Sequence, residues 1–452
     1  MAKQSKPFMD EDGTEGFERS DISERGSAGT SRRGFLESIG LAAVGTAVGV
    51  SVPFAGDLPL AVSTSRAYAQ DAKTEKPAPE AVAEGPQKLN MPGKDGGLVV
   101  LGERPLVAET PEHLLDDDTT PTSKLFIRNN GTPPELPADL DGWKLVIDGE
   151  VNSPLEISLG ELKKKAKPVT LRMMLECGGN GRSFFSPPAK GNQWTNGGAG
   201  CPEWTGIPLR ELLKEVGVKD SAIYTAHYGA DTHLSGDASK VTLSRGVPIA
   251  KAMDEHTLLA WGMNGEPMPA IHGGPLRLIA PGWAGSASHK WLTKITIRDK
   301  EHDGPGMTGT SYRTPIKPMI PGSKADPANF KVLESMPVRS IISNPMNGAK
   351  LAAGTREIPL RGAAWAGELA VSKVDVSADY GVNWSPMTLA KPTNKYDWTR
   401  WTGSVKLPSD GYYELWVRAT DSNGAMQPHA APNWNPAGYG GNPFHRIAVL
   451  VG

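Results

Sequence analysis

The sequence predicts an α+β protein in which a domain of mixed short strands and helices precedes an all-β sandwich of the immunoglobulin-like type. Composition argues against a helical bundle, since the 452 residues include 52 glycines and 39 prolines, which favour turns, loops and strands. A proline-rich segment at residues 315–327 then divides the chain. After it the hydrophobic pattern takes a period of two, with turn signals between short apolar runs, as in a β-sandwich.

The N-terminus carries the pattern of a twin-arginine export signal. Two arginines in Ser31–Leu36 precede a bulky apolar pair, and the uncharged stretch Ile39–Val52 follows. That stretch is shorter than the ~20 apolar residues of a membrane span, and Arg66–Ala69 offers a cleavage site. We therefore expect a signal peptide over residues 1–69 and a periplasmic mature protein, exported folded and with its cofactor already bound. The alternative is an uncleaved anchor helix or a chance arginine pair.

Three segments follow the predicted signal. Residues 70–97 are rich in Lys, Glu, Pro and Ala and are expected to form a flexible arm, while residues 98–325 form the mixed domain and residues 326–452 the sandwich. The formal net charge is −2 and the basic residues form no block, which argues against nucleic-acid binding. No sequence segment after residue 70 is long and apolar enough to span a membrane.

Individual elements can be assigned within both domains. In the mixed domain, Trp143–Gly149 is a predicted strand, Ser158 a predicted helix N-cap and Leu209–Val216 a predicted amphipathic helix. In the sandwich, Tyr413–Ala419 alternates between apolar and polar residues, and Arg446–Val451 is a predicted closing strand. The chain after residue 70 is long enough to bury a large core.

The chain lacks several familiar cofactor motifs. It has no Cys-x-x-Cys-His haem-attachment motif, no Gly-x-Gly-x-x-Gly leading into a helix and no His-Glu-x-x-His. Haem on this chain is therefore not expected, and flavin, nicotinamide and zinc-hydrolase chemistry are disfavoured. With only two cysteines, Cys177 and Cys201, an exported protein of this size is not held by a disulfide framework.

Cys177 lies in the most informative stretch of the sequence. The apolar run Met173–Leu175 leads through Glu176 into Cys177 and a loop of small residues that ends at Arg182. Gly and Asn let a backbone approach a ligand closely and expose its N–H groups, and a thiolate near a cation is a good ligand for a soft metal. Two alternatives stay open from these residues alone: a disulfide with Cys201, or an inert buried thiol.

Further motifs occur in order around this loop. They are Phe126–Asn129, Cys177–Arg182, Gly198–Ala199 with Trp204 and Gly206, Met263–Pro269, His272–Arg277 and His289–Leu292. Together they resemble the motifs of the sulfite oxidase family of molybdenum enzymes, from about Arg128 to the end of the chain. The resemblance implies a molybdopterin-binding catalytic domain at residues 98–325 and an immunoglobulin-like dimerisation domain at residues 326–452.

The resemblance also implies a cofactor and the residues that hold it. The family binds molybdenum through the dithiolene of one pyranopterin and a single protein thiolate, and Cys177 occupies the position of that metal ligand. The family's cofactor-binding positions are occupied by Arg182, His272, Arg277 and Lys290. The alternatives are surface charges and, for His272, a core histidine.

Two further residues match catalytic positions of the family. Tyr312 matches the active-site tyrosine, whose hydroxyl would bond the substrate or an oxygen on molybdenum, and Arg128 would hold an anionic sulfur–oxygen group. The alternatives are a core tyrosine at the domain junction and a structural ion pair. The implied reaction is oxygen-atom transfer to a sulfur substrate, with electrons leaving one at a time.

Two departures from the family pattern concern the substrate. Asn130 stands where enzymes of free sulfite usually have a histidine, and the segment 364–370 lacks the arginine that they carry in the second domain. A pocket with fewer cations is a poorer trap for a small dianion and suits a larger substrate whose sulfur arrives on an arm. These departures resemble the sulfane dehydrogenase branch, the molybdenum subunit of periplasmic thiosulfate oxidation.

That branch implies a substrate, an acceptor and an assembly. The substrate is a persulfide-type sulfur on a cysteine of a carrier protein, the electron acceptor is a c-type cytochrome partner, and the molybdenum subunits form a homodimer. Three alternatives remain: a dehydrogenase of free sulfite, a periplasmic reductase of oxidised methionine, and a non-catalytic binding protein that works through its sandwich. The methionine reductases lack a second domain, which argues against that class.

Overall fold

The computed structural model describes residues 87–452, so the predicted signal peptide and residues 70–86 of the predicted arm lie outside the described residues. The strands before residue 335 are β1 (Val99–Glu103), β2 (Leu106–Glu109), β3 (Ile127–Arg128), β4 (Lys144–Gly149), β5 (Leu155–Ser158), β6 (Val169–Arg172), β7 (Leu175–Glu176), β8 (Ala199–Gly200), β9 (Glu203–Pro208), β10 (Tyr224–Gly229), β11 (Leu258–Met263), β12 (Glu266–Pro267), β13 (Arg277–Ile279), β14 (Leu292–Arg298), β15 (Arg313–Pro315) and β16 (Phe330–Val332). The helices are α1 (Leu159–Lys165), α2 (Leu209–Val216) and α3 (Ile249–Ala252), with 3-10 turns at Glu112–Leu114, Arg182–Phe184, Ala270–His272 and Pro327–Asn329.

Two larger sheets build the first domain. One has the strand order β10-β14-β4-β5, in which β14 runs parallel to β4 and the other pairs are antiparallel. The other has the order β12-β11-β9-β6, with β13 also paired to β11. Apolar side chains from the first sheet, from α1 and α2 and from β13 share one core cluster. The smaller sheet β1-β2-β3 ends in Arg128.

The two longer helices form where the sequence predicts them. The buried residues of α2 are Leu209, Leu212, Leu213 and Val216. Their spacing of three and four residues puts them on one face, and Gly217 ends the helix with a φ of +65°. At α1 the Ser158 hydroxyl accepts from the Glu161 N–H while the Glu161 carboxylate accepts from the Ser158 N–H, which is a capping box. Both predicted helix signals are confirmed.

The second domain consists of two sheets. Its strands are β17 (Arg339–Asn344), β18 (Ala349–Leu351), β19 (Glu357–Trp365), β20 (Val371–Ser377), β21 (Ser385–Pro386), β22 (Thr388–Leu389), β23 (Thr399–Lys406), β24 (Gly411–Asp421) and β25 (His445–Val451). The sheet orders are β17-β19-β23-β22 and β18-β25-β24-β20-β21. Residues of both sheets, such as Leu360 and Trp401 of one and Val417 and Val449 of the other, form a shared core. The two sheets therefore pack face to face, and the predicted strands at residues 413–419 and 446–451 are confirmed.

Two features differ from the sequence expectation. The described residues are mostly β-structure with three short α-helices, so the helical part of the predicted α+β fold is small. Residues 87–97 belong to the folded domain and are not part of a flexible arm: Leu89 is buried against Leu98 and Ile127, and Lys88 bridges Val99. Leu89 is apolar and becomes buried on folding, which the average composition of residues 70–97 does not indicate.

No helix in the described part of the chain combines the length and the apolar character that crossing a bilayer requires.

A buried ion pair joins the two domains. Glu176 at the end of β7 accepts a hydrogen bond from Arg339 Nε at 2.8 Å, and the two side chains are 3% and 0% exposed. The other Glu176 oxygen accepts from Trp365 Nε1 at 2.7 Å, and Arg339 also reaches Asn196 Oδ1 and the carbonyl of Asn180. Since each carboxylate oxygen and each guanidinium nitrogen has a partner, the pair holds the loop after β7 against β17 and β19.

Replacing Arg339 with Met should destabilise the protein by about 3–5 kcal/mol, because Glu176 would remain buried as an uncompensated charge. As a control, Arg356→Met removes an arginine whose ion pair with Asp410 is solvent-exposed, and the free energy of unfolding should hardly change. Chemical denaturation followed by circular dichroism measures both. Equal losses in the two variants would contradict the role given to the buried pair.

Candidate active site

A cavity in the first domain brings together side chains from distant parts of the chain. Its wall comprises the end of β3, the start of the loop after β7, the turn at Ala270–His272, the segment 285–291 and Tyr312. The residues selected from the sequence that line it are Arg128, Cys177, His272, Arg277, Lys290 and Tyr312. The fold therefore collects all the selected residues except Arg182 around one space.

Cys177 reaches the cavity from the end of a short strand. Its N–H donates to the carbonyl of Gly198 at 2.7 Å, and its carbonyl accepts from the N–H of Asn180 at 2.9 Å, which closes a tight turn. Burial raises the pKa of the Cys177 thiol, while the positive charges of Arg128 and Arg182 oppose that rise. The buried thiolate therefore needs a further positive partner, such as a metal ion.

Cys201 has a different environment. Both cysteines are free, so the disulfide alternative is wrong. Cys201 is fully buried in the core, and its Sγ lies 3.5 Å from Asp397 Oδ1. Burial and the neighbouring carboxylate both raise the pKa of this thiol well above its usual value. Cys201 is thus an inert core thiol, whereas Cys177 faces a cavity with cations around it.

Positive charge predominates in the cavity wall. Among the residues that line it, Asp231 is the one carboxylate, and Arg277 and Lys290 donate to backbone carbonyls and to the Asn129 side chain. Burial lowers the pKa of Arg277 to about 9. Burial, followed by repulsion from Arg277 and Arg128, holds the pKa of Lys290 well below its usual value. Buried cations without acidic partners favour the binding of an anion.

Four polar atoms of the cavity wall lack a hydrogen-bond partner among the residues described. They are Arg128 Nη1, Asn129 Nδ2, Ser286 Oγ and His289 Nδ1. Leaving one such atom buried and unpaired costs about 1–3 kcal/mol, so four in one cavity need an explanation. A polar ligand with several acceptor atoms would satisfy the donors among them.

A glycine lets two of the candidate residues lie side by side. The turn Ala270–His272 ends at Gly273, whose φ is +103°. A Cβ at Gly273 would lie 2.7 Å from Lys290 Cγ, so a larger residue would push Lys290 away from the turn. The small residue after His272 therefore allows His272 and Lys290 to face the same cavity.

Tyr312 belongs to a stack that crosses the domain boundary. Its ring lies against Tyr439 of the second domain, with centroids 5.0 Å apart and an interplanar angle of 18°. The Arg245 guanidinium lies 4.9 Å from the Tyr312 ring, and the Arg182 guanidinium lies 5.5 Å from the Tyr439 ring. Tyr312 also has a φ of +48°, which costs a non-glycine residue about 1 kcal/mol or more. The stack holds this strained residue at the cavity wall.

Arg182 does not line the cavity that the other candidate residues share. Its guanidinium donates to the carbonyls of Ala437 at 2.6 Å and Asn192 at 2.8 Å. A Cβ at Gly179 would lie 2.4 Å from Arg182 Nη2, so the absence of a side chain at Gly179 lets the guanidinium fold back across the loop. The direct contacts of Arg182 are therefore with its own domain's loop and with the second domain, although its charge still acts on Cys177.

The two positions that depart from the family pattern lie in different places. Asn130 lines the cavity beside Cys177. Trp365, Ala366 and Gly367 line a second cavity of about 370 Å³ at the domain junction. The segment 364–370 therefore contributes no cation to the first cavity.

Three residues of the site have no role in the sequence interpretation. Asn129 and His289 lie inside recognised motifs, but only their unpaired atoms in the folded chain reveal that they face the cavity. Tyr439 lies far from Tyr312 in the sequence. The glycine-rich run Gly438–Gly441 was an available signal, because such runs permit close backbone approach; the Gly440 N–H indeed donates to the carbonyl of Gly178 at 3.2 Å.

Comparison with known proteins gives two domain matches and close relatives. The oxidoreductase molybdopterin binding domain matches residues 130–306, and the Mo-co oxidoreductase dimerisation domain matches residues 331–452. Mitochondrial sulfite oxidase of Mus musculus is 31% identical over 382 residues, which cover 80% of this chain and 67% of the mouse protein. Sulfite oxidase of Gallus gallus is 30% identical over 367 residues, 78% of each chain.

A solved structure is similar across both domains. The sulfane dehydrogenase SoxCD from Paracoccus pantotrophus aligns with a TM-score of 0.63 and 26% sequence identity, covering 83% of this chain and 93% of the solved chain. The two-domain arrangement described above is thus shared with a known molecule.

Sulfate should stabilise the protein when it is produced in a host that makes no molybdenum cofactor, because an anion offsets the positive charge of the cavity. At ten times its dissociation constant the gain is about 1.4 kcal/mol, measurable as a rise in the thermal midpoint. Lys290→Met should lose most of this gain, whereas Lys167→Met, which removes an exposed lysine, should keep it. Equal sulfate responses in these two variants would rule out the cavity as the anion site.

Proposed function

The chain belongs to the sulfite oxidase family of molybdenum oxidoreductases, and we propose that it oxidises a persulfide-type sulfur carried on a cysteine of a partner protein. The observation that carries this choice is that Asn130 lines the cavity at the position where the family's enzymes of free sulfite usually have a histidine, and that segment 364–370 contributes no arginine to the cavity. The similarity to a sulfane dehydrogenase over 83% of the chain supports it.

The cavity fits a molybdopterin cofactor both in its positive charge and in its unpaired hydrogen-bond donors. The unpaired donor Asn129 Nδ2 and the excess positive charge of the cavity suit an anionic, acceptor-rich ligand. Arg277, Lys290 and His272 would hold its anionic and polar edges, and Cys177 would provide the single thiolate for the metal. When bound, this cofactor supplies oxygen-atom transfer and two-electron redox chemistry.

The protein's own contribution is to bind and orient the substrate. Arg128 Nη1 has no partner among the described residues and would hold the anionic sulfur–oxygen group that forms as the substrate sulfur is oxidised, and Tyr312 Oη would donate a hydrogen bond to the same group. The stack of Tyr312 on Tyr439 keeps the hydroxyl in position, since a freely rotating ring would lose this alignment.

Export and partners complete the proposal. The twin-arginine pattern supports a periplasmic location, reached with the cofactor already inserted. The sequence has no haem-attachment motif, and we assign electron acceptance to a separate c-type cytochrome subunit. The match of residues 331–452 to a dimerisation domain supports a homodimer of molybdenum subunits, and an immunoglobulin-like topology for its two-sheet sandwich is part of the same proposal.

A dehydrogenase of free sulfite is the second candidate. The relatives in Mus musculus and Gallus gallus are both named sulfite oxidases, at 31% and 30% identity. For that reaction, Arg128 would have to retain the small dianion without the second-domain arginine.

The two functions can be separated by one assay on the purified protein, after elemental analysis has established that it contains molybdenum. Reduction of cytochrome c should be fast with a persulfidated carrier protein and slow with free sulfite. The unmodified carrier, with a free thiol, is the control. Fast turnover with sulfite alone would reject the persulfide proposal in favour of the second candidate.

Replacing Cys177 with Ser should abolish turnover with either substrate while leaving the chain folded, because a hydroxyl is a much weaker ligand for molybdenum than a thiolate. Cys201→Ser makes the same replacement of sulfur by oxygen, but in the core, and should keep activity within about twofold of the wild type with a small loss of stability. Activity assays and circular dichroism measure the two effects. An active Cys177→Ser enzyme would contradict the assignment of the metal ligand.

A further inference from the structure

The N-terminal segment 87–98 reaches the cofactor cavity from outside the recognised motifs. Its Leu89 packs into the cluster that contains Leu98 and Ile127, and Ile271 contacts the same cluster. Ile127 and Ile271 immediately precede Arg128 and His272, two residues of the cavity wall. The segment therefore packs against the residues that immediately precede Arg128 and His272 in the cavity wall.

Lys94 in this segment contacts a residue of the cavity directly. Its Nζ donates to the carbonyls of Thr122 at 2.7 Å and Leu125 at 2.6 Å, and it lies 3.1 Å from His272 Nε2. Protonated Lys94 has three hydrogens and no lone pair, so with two hydrogens on the carbonyls the third points to His272 Nε2, which acts as the acceptor. Burial lowers the pKa of Lys94 to about 7, so this form predominates below that pH. The neutral His272 ring then carries its hydrogen on Nδ1.

The surroundings keep the His272 ring neutral. Burial, and then repulsion from Lys94, Lys290 and Arg277, holds the pKa of His272 well below its usual value. The His272 carbonyl is separately fixed by Arg277 Nη1 at 2.8 Å. The backbone at His272 is thus held by Arg277, and the side chain in contact with the ring is Lys94. A hydrogen bond to the Thr122 backbone partly opposes the lowering of the His272 pKa.

We propose that Lys94 is a positioning residue for the cofactor, which holds the His272 ring in the Nδ1–H tautomer so that it donates a hydrogen bond to an anionic or acceptor group of the molybdopterin. This inference rests on the proposed function, because it assumes that molybdopterin fills the cavity. It assigns a role in cofactor retention to the C-terminal part of the predicted arm, which the structure places in the folded domain. Partners that orient a metal-binding histidine typically change metal affinity by about 10–100-fold when they are lost, and we expect a change of the same order in cofactor retention.

Three variants test the proposal by cofactor content and not by activity alone. Lys94→Met keeps the length of the side chain and removes the donors, Lys94→Arg restores a cationic donor, and Lys88→Met removes the other lysine of the segment, whose Nζ donates to the carbonyl of Gly97. Molybdenum per chain is measured after prolonged dialysis of the holoenzyme. Lys94→Met should lose the cofactor at least about tenfold faster than the wild type, Lys94→Arg should recover part of the retention, and Lys88→Met should behave as the wild type.

A double-variant cycle separates a role through His272 from a purely structural role. If Lys94 acts through the histidine, Lys94→Met should add little to the cofactor loss already caused by His272→Gln. Additive losses would overturn the proposal. ¹⁵N-histidine NMR of the holoenzyme gives an independent signature: the His272 signal, assigned by its absence in His272→Gln, should show the Nδ1–H tautomer in the wild type and a changed tautomer in Lys94→Met.

The outcomes of these experiments distinguish the proposed role of Lys94 from the proposed function on which it rests. A wild-type protein without molybdenum, isolated from a host that makes the cofactor, overturns the proposed function and this inference together. A molybdenum-containing wild type with unchanged retention in Lys94→Met overturns the inference alone. Fast loss in Lys94→Met and in Lys88→Met alike would mean that the segment acts only by packing, which also overturns it.

Discussion

The buried pair of Glu176 and Arg339 is the interaction on which the arrangement of the site depends. Glu176 precedes Cys177 directly, so the bonds from Arg339 and Trp365 fix the loop that carries the thiol to the second domain. Arg339 also holds the carbonyl of Asn180 in the same loop. Removing two charges from water is costly, and the pair is tolerated because all of its polar atoms are bonded. The second domain therefore fixes the position of Cys177.

The cavity shows the opposite arrangement of charge. Arg277 and Lys290 are buried with Asp231 as the one carboxylate among the lining residues, and polar atoms of Arg128 and Asn129 have no partner in the described part of the chain. Every polar side-chain atom of Glu176 and Arg339 at the domain boundary has a partner, whereas the cavity contains several polar atoms without one among the described residues. This contrast is expected when the cavity residues are arranged for a ligand, because the cost of leaving them unpaired is recovered on binding.

Much of this organisation was predictable from local sequence, and the rest was not. The apolar spacing of Leu209–Val216 and the Ser158 cap are local signals, and the structure confirms both. The stacking of Tyr439 on Tyr312 and the contact of Lys94 with His272 join residues that are far apart in the sequence. The glycine-rich run around Tyr439 indicates a close backbone approach but not its partner, and no motif marks Lys94. The composition of residues 70–97 also gave no indication that Leu89 is buried. Pairing across domains follows from packing, which a single sequence does not specify.

The measurement that tests the central claim most directly is X-ray absorption at the molybdenum K edge, on the purified holoenzyme and on its Cys177→Ser variant loaded in the same host. The claim is that one protein thiolate, supplied by Cys177, completes the sulfur ligands of a single pyranopterin. The variant should then contain molybdenum with one sulfur neighbour fewer than the wild type and one oxygen neighbour in its place. The same number of sulfur neighbours in both proteins would contradict the claim.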